Sequence, residues 1–99
     1  MWVHLNDQIV PEAQAMVSVF DRGFLYGDGV FETMRAYQRQ VFRLDDHLAR
    51  LTASAGALNI RLPRTPSQIG DDIQRVLDRN DLDDGVVRVA VSRGRGRRG

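Results

Sequence analysis

The amino-acid sequence predicts an α+β domain in which two helices cover one face of a mainly antiparallel sheet. Residues 30–37 and 86–91 alternate in side-chain character, as half-buried strands do. Residues 44–58 instead repeat their leucines and alanine at helical spacing. A second helical pattern follows before the last strand. Strands, then two helices, then a strand is the order typical of helices packed on one face of an antiparallel sheet.

The length and composition fit one small globular domain. The chain has 99 residues, of which 42% are hydrophobic, and no apolar run approaches the ~18–20 residues that a membrane span needs. It has no cysteine, which excludes disulfides, thiolate catalysis and a thiolate zinc site. We expect no metal site. No signal peptide is visible in residues 1–7, so a cytoplasmic location away from the membrane is the expectation.

The net charge of +1 conceals a basic C-terminal segment. All fourteen basic residues are arginines, and the last fifteen positions hold five of them without an acid. Residues 94–99 also spell G-x-G-x-x-G, but that motif binds dinucleotides by opening a helix, and the chain stops at its last glycine. We therefore reject a dinucleotide site. The basic segment is either an anion or nucleic-acid contact or a solvated tail.

Short elements fill the first half of the chain. Residues 3–5 and 8–10 flank an Asn-Asp pair and predict a small hairpin. Residues 15–20 predict another short strand. Residues 21–29 hold three glycines within seven positions, more than a structural hairpin needs, which predicts a shaped loop at a functional site. Residues 38–40 predict a turn after the long strand.

The two long strands each present a mixed face. Val30, Met34 and Ala36 share one face with Glu32, and the opposite face carries Phe31, Thr33, Arg35 and Tyr37. In the last strand, Arg88 lies opposite the three valines. Arginine binds phosphate or carboxylate through its planar fork of donors, so Arg35 and Arg88 are candidate anion contacts. The alternative is that both point into solvent.

The two helices are predicted by their faces and their beginnings. In the first, His47 falls within the leucine stripe and Arg50 on its margin. We therefore predict His47 to be a packed histidine rather than a base. The second helix is predicted to begin at Thr65, since Thr65-Pro66-Ser67-Gln68 supplies a cap, a proline at the first helical position and a capping-box glutamine.

Three ordered segments resemble the N-terminal domain of fold-type-IV pyridoxal-phosphate (PLP) enzymes. They are residues 19–35, residues 42–51 with the pattern His-x-x-Arg-Leu, and residues 88–94. The family comprises branched-chain aminotransferases, D-amino-acid aminotransferases and aminodeoxychorismate lyases. The resemblance implies that residues 1–99 form one N-terminal domain, and that the lysine-bearing C-terminal domain of these homodimeric enzymes is absent from this chain.

The resemblance also implies roles for particular residues. In such enzymes the arginine of His-x-x-Arg-Leu binds the phosphate of pyridoxal 5'-phosphate, which here implies Arg50. The carboxylate of the substrate is implied to meet Arg88, as in branched-chain enzymes, or Arg98, as in D-amino-acid enzymes; Arg88 is the better placed. The remaining implied substrate contacts are Tyr26, Phe31, Thr33 and Arg35.

The implied activity is amino-group transfer between an amino acid, with branched-chain substrates favoured, and a 2-oxo acid. The sequence has no lysine, so we predict no catalytic residue in this chain and no activity for it as a truncated enzyme. Two alternatives stay open: an aminodeoxychorismate lyase, and a non-catalytic module that binds phosphate or a partner. Nucleic acid is not expected, because no aromatic pair accompanies the basic segment.

Overall fold

The computed structural model describes residues 1–96, which form two antiparallel sheets and three α-helices. A single-turn 3₁₀ helix at Glu12–Gln14 follows the first two strands. The strands are β1 (Trp2–Leu5), β2 (Gln8–Pro11), β3 (Gly29–Tyr37), β4 (Gln40–Val41) and β5 (Gly85–Ser92), and the helices are α1 (Arg22–Tyr26), α2 (Leu44–Ala57) and α3 (Pro66–Arg79).

β3 is the central strand of the larger sheet. It pairs with β5 over eight residues, from Gly29 opposite Ser92 to Ala36 opposite Gly85. On its other edge it pairs with β4 at Ala36 and Tyr37. The turn between β3 and β4 places Gln38 and Arg39 at positive φ. The predicted strand at residues 30–37 and the turn after it are therefore confirmed.

The hydrophobic core lies between one face of β3 and the two long helices. α2 packs on β3, and α3 packs on α2 and on the β1–β2 hairpin. This arrangement confirms the predicted α+β architecture. The core residues are apolar and buried, and most of them recur at strand or helix spacing. They are Val30, Met34, Ala36, Leu48, Leu51, Ala55, Ile60, Ile69, Ile73 and Leu77.

A buried carboxylate of α3 contacts the β1–β2 hairpin. Asp72 is 6% exposed and accepts hydrogen bonds from Arg64 and Arg75. His4 of β1 lies 3.5 Å from the same carboxylate. Burial raises the pKa of Asp72, but the hydrogen bonds from both arginines outweigh it, and the net pKa lies below its usual value.

The predicted beginning of the second helix is confirmed in atomic detail. The hydroxyl of Thr65 accepts a hydrogen bond from the backbone N–H of Gln68 at 3.2 Å. The side-chain oxygen of Gln68 accepts one from the backbone N–H of Thr65 at 3.0 Å. This reciprocal pair is a complete capping box, and it satisfies two N–H groups that the helix itself cannot.

We predict that Thr65→Ala lowers the free energy of unfolding by about 1 kcal/mol, because the cap oxygen is lost. Thr65→Ser keeps that oxygen and is the matched control. Urea unfolding of the three proteins measures the difference. Equal stability of the alanine and serine variants would contradict the prediction.

The predicted strand at residues 15–20 is wrong. This segment is irregular, and Met16, Val17 and Val19 are exposed. Strand-forming residues make a strand only where another strand can pair with their N–H and C=O groups, and within residues 1–96 no strand pairs here.

None of the helices formed by these 96 residues is both long enough and apolar enough to cross a membrane.

Candidate functional site

The open face of the larger sheet brings together four of the residues implied to contact substrate. Phe31, Thr33 and Arg35 project from β3, and Arg88 projects from β5 directly opposite Thr33. All four are exposed. Their placement follows from strand alternation, since the intervening side chains of β3 face the helices.

The two arginines of this face lie against aromatic rings. The guanidinium carbon of Arg88 is 4.1 Å from the ring centre of Phe31, and that of Arg35 is 5.9 Å from the ring of Tyr37. Within residues 1–96 neither guanidinium makes a hydrogen bond or an ion pair. A ring face orients a guanidinium while leaving its N–H donors available. The face is therefore suited to bind an anion beside an apolar surface.

A second cluster lies on the helix side of the same strand. The carboxylate of Glu32 accepts hydrogen bonds from Arg50, with Glu32 Oε1 2.8 Å from Arg50 Nη2 and 3.2 Å from Arg50 Nε. The Nδ1 atom of His47 is 2.7 Å from the same oxygen. Glu32 and His47 are mostly buried, with side chains 12% and 17% exposed, whereas Arg50 is 68% exposed.

Charge pairing organises this cluster. The hydrogen bonds from Arg50 and then His47 hold the pKa of the Glu32 carboxylate below its ordinary value, and Glu32 in turn raises the pKa of Arg50. The buried carboxylate thus fixes one side of the guanidinium. Because most of Arg50 stays exposed, its remaining donors are free to meet an anion, and a phosphate fits the fork geometry of this side chain.

His47 is packed, as its place in the leucine stripe predicts, but its ring also pairs with Glu32. The sequence carried a signal for this pairing, because His47 and Arg50 are three residues apart and so share one helix face. The strand pattern placed Glu32 on the core-facing side, where a carboxylate needs a partner. The two patterns mark Glu32 as needing a partner and place His47 and Arg50 on one helix face, but only the packing of α2 on β3 brings the three side chains together.

Arg50 and the four sheet residues lie on opposite faces of β3. The structure therefore does not bring the predicted phosphate contact together with the predicted substrate contacts across the sheet. Among the described residues, β3 pairs on its outer edge with β4 at Ala36 and Tyr37. On that edge, β3 has no strand partner beside Phe31 and Glu32 within the described part of the chain. A single molecule that contacts both faces of β3 must therefore reach around this unpaired edge.

The glycine-rich segment, predicted as a shaped loop, contains the short helix α1. α1 is capped by Asp21, whose carboxylate accepts a hydrogen bond from Gly23 N at 2.8 Å, and it ends at Gly27 with a φ of 65°. Tyr26 is the last helical residue and is 77% exposed. A Cβ at Gly29 would lie 2.7 Å from the Val91 carbonyl oxygen, so only glycine lets β3 approach β5 here.

Asp28 has a structural partner that the sequence analysis missed. Arg93 Nε donates to Asp28 Oδ2 at 2.7 Å, and Arg93 Nη2 donates to the carbonyl of Leu58 at 2.7 Å. Arg93 therefore joins the glycine-rich segment to the C-terminal end of α2. Arg98, the other implied carboxylate contact, lies outside the described residues. Within residues 1–96 no group of three or more His, Cys, Asp or Glu side chains is arranged to hold a metal ion.

We predict that Glu32→Gln flattens the pH dependence of stability below pH 4.5, the ordinary pKa of glutamate. A carboxylate with a lowered folded pKa stabilises the fold fully above its unfolded pKa, and this contribution is lost as pH falls through the folded pKa. Glutamine does not titrate. Free energies of unfolding measured by urea from acid to neutral pH test the difference between wild type and variant.

Asp46→Asn is the matched control for Glu32→Gln. Asp46 also pairs with an arginine, Arg43, but its side chain is 66% exposed. Exposed pairs contribute little because solvent screens them. Curves for wild type and Glu32→Gln that run parallel through the acid range would contradict the prediction.

Comparison with known proteins identifies the family to which this chain is similar. The family model for amino-transferase class IV matches residues 29–99. A Methanocaldococcus jannaschii protein, provisionally assigned as a branched-chain-amino-acid aminotransferase, is 47% identical over 96 residues, which cover 97% of this chain and 33% of that protein. The aminodeoxychorismate lyase of Bacillus subtilis is 38% identical over 90 residues, which cover 91% of this chain and 31% of the lyase.

A solved structure shows the same fold. The branched-chain aminotransferase of the thermophilic archaeon Thermoproteus uzoniensis, solved with norvaline, superposes with a TM-score of 0.84 at 34% identity. The match covers 91% of this chain and 32% of that one. This chain thus spans about a third of the length of the proteins that it matches. Because the family model matches well over half of its residues, the chain belongs to the amino-transferase class IV family.

Proposed function

We propose that this chain is the N-terminal domain of a PLP-dependent aminotransferase that acts on amino acids, with branched-chain substrates favoured, and on 2-oxo acids. The observation that carries the proposal is the pairing of Arg88 with Phe31 on an open sheet face. Both substrates are carboxylates, which suit the free donors of Arg88. A branched aliphatic side chain suits the apolar surface beside it.

We assign the cofactor phosphate to Arg50. Its guanidinium is oriented by Glu32 and is exposed on the other side, which fits a phosphate group. When bound, PLP supplies an electron sink for bonds at the amino-bearing carbon of a substrate. The lysine that holds PLP in this family, and the glutamate that pairs with its ring nitrogen, would come from a C-terminal domain. We therefore expect residues 1–99 alone to be inactive.

We further propose a cytoplasmic homodimer that contacts neither membrane nor nucleic acid. Support for the homodimer comes from the exposed large apolar side chains, among them Phe24, Tyr26, Phe31 and Phe42. Apolar surface of this kind marks sites that other protein surfaces cover. The rest of the polypeptide and a second subunit are the occupants that the proposal requires.

Aminodeoxychorismate lyase activity is the second candidate, favoured by the 38% identity to the Bacillus subtilis lyase. The same arginines would serve it, because its substrate also carries carboxylates. A non-catalytic module that binds phosphate or a partner is the third. This third candidate needs Arg50 but makes no use of the paired Arg88 and Phe31.

The test begins with the protein isolated from its natural source and treated with borohydride. An intact mass well above that of these residues, with a reduced phosphopyridoxyl adduct, supports the enzyme proposal. Assays with branched-chain amino acids plus a 2-oxo acid, and separately with aminodeoxychorismate, then distinguish the two reactions. A mass equal to that of residues 1–99, without an adduct, would refute both enzyme proposals.

A further inference from the structure

The basic segment after β5 is held by one arginine side chain. We call residues 93–96 the Arg/Gly loop. The Nε atom of Arg22 donates to the carbonyl of Gly94 at 3.1 Å, and its Nη2 atom donates to the carbonyls of Arg93 at 3.0 Å and Arg95 at 3.5 Å. A single guanidinium therefore donates hydrogen bonds to the carbonyl oxygens of three successive residues.

The backbone and the neighbouring acid reinforce this contact. The backbone N–H of Arg22 donates to the carbonyl of Gly94 at 2.9 Å. Asp21 accepts a hydrogen bond from the hydroxyl of Ser92 at 2.8 Å and forms an antiparallel bridge with Arg95. A Cβ at Gly96 would lie 3.1 Å from Arg22 Cδ, so the stem of Arg22 packs on the loop.

These contacts show that the described part of the basic segment is not a solvated tail. Carbonyl oxygens of consecutive residues do not normally converge, since their dipoles repel one another. A cation among them removes that repulsion through charge-assisted hydrogen bonds. Gly94, at a φ of 85°, supplies the left-handed backbone that the turn requires. Arg22 and Gly94 thus determine the path of the chain as it leaves β5.

The loop joins two elements that carry implied substrate contacts. Arg22 begins α1, which ends at Tyr26, and the loop directly follows β5, which carries Arg88. Arg98 is two positions beyond Gly96 in the sequence. Arg22 therefore connects the helix that ends at Tyr26 to the loop that follows the strand bearing Arg88.

We propose that Arg22 is a positioning residue for carboxylate substrates, acting through the Arg/Gly loop. This inference rests on the proposed aminotransferase function. Within residues 1–96 no hydrogen bond or ion pair joins Arg22 to Glu32, His47 or Arg50. Loss of Arg22 should therefore impair the binding of both carboxylate substrates and leave cofactor binding unchanged.

The test uses the full protein in its PLP-bound form and compares Arg22→Ala, Arg22→Lys and wild type. We expect Arg22→Ala to raise KM for the amino acid and the 2-oxo acid about ten- to hundredfold, the size of effect expected when a charge-assisted hydrogen bond to each carboxylate is weakened. PLP affinity and kcat at saturation should change little. Lysine can donate to one or two of the carbonyls, so Arg22→Lys should recover part of the loss.

Hydrogen exchange supplies a readout that does not depend on activity. The N–H groups of Arg93 and Gly94 donate to Asp28 and Ser92, so Arg22→Ala should speed their exchange while amides of β3 keep wild-type rates. Arg61→Ala, at an exposed arginine that makes no contact with the loop, is the control and should behave as wild type.

Different results would refute the proposed function and the proposed role of Arg22. A wild-type protein that has no aminotransferase activity would refute the proposed function. An active wild type whose Arg22→Ala variant keeps slow exchange at Arg93 and Gly94 would refute the loop contact. Faster exchange with an unchanged KM, or a rise in KM accompanied by an equal loss of PLP affinity, would refute the positioning role of Arg22.

Discussion

Arg50→Ala is expected to weaken PLP binding about ten- to hundredfold, because charged hydrogen bonds of about 1.5–3 kcal/mol to the phosphate are lost. Pyridoxal, which lacks the phosphate, should bind wild type and variant alike. Titrating both compounds by their absorbance into each purified protein therefore isolates the phosphate contribution. Arg43→Ala removes another arginine of the same helix region, one that pairs with Asp46, and should leave both affinities unchanged.

The same variant leaves Glu32 without its arginine partner, so stability must be measured beside binding. Glu32→Gln with Arg50 intact separates the two effects, since it weakens the orientation of Arg50 without removing the phosphate donor. We expect a smaller loss of PLP affinity for it than for Arg50→Ala. If Arg50→Ala and wild type prefer PLP over pyridoxal by the same factor, Arg50 does not bind the phosphate.

Arg88→Ala is expected to raise KM for both carboxylate substrates about tenfold to hundredfold while leaving PLP affinity unchanged. The reason is the geometry of β3 and β5: Arg88 lies on the sheet face opposite to Arg50. Steady-state kinetics with varied amino acid and varied 2-oxo acid measure the change. The two arginine variants should thus show reciprocal phenotypes, one in cofactor binding and one in substrate binding.

Arg35→Ala and Arg98→Ala complete this comparison. Arg35 lies on the same open face as Arg88 but against Tyr37 rather than Phe31, and it is also an implied substrate contact, so Arg35→Ala shows which of the two arginines binds the carboxylate. Arg98 is the rival carboxylate contact implied by the D-amino-acid enzymes. A larger rise in KM for Arg98→Ala than for Arg88→Ala would overturn the preference for Arg88 and favour D-amino-acid substrates.

Local sequence patterns predicted most of the secondary structure because each rests on short-range physics. The alternation in residues 30–37, the leucine spacing of α2 and the capping box at Thr65 all depend on neighbours within one or two turns. Residues 15–20 show the limit of this reasoning. Their apolar side chains favour a strand, but whether a pairing strand is available depends on the rest of the fold.

The glycine-rich segment was also predicted only in part. Three glycines predicted a shaped backbone, and Gly27 and Gly29 have the conformation and the close approach that glycine permits. The five-residue helix that ends before Gly27 was not predicted. It is too short to be stable alone, and it persists because Asp21 and Arg22 attach it to the end of β5.

The fold class, the two long helices, the faces of β3 and β5 and the family resemblance could all be predicted from the amino-acid sequence. The partners of the charged residues emerge only in the folded domain: Glu32 with His47 and Arg50, Asp28 with Arg93, and Arg22 with the Arg/Gly loop. Separation along the chain explains the difference, since these groups lie up to 73 positions apart. No local pattern specifies which of fourteen arginines meets which carboxylate or carbonyl once the core has packed.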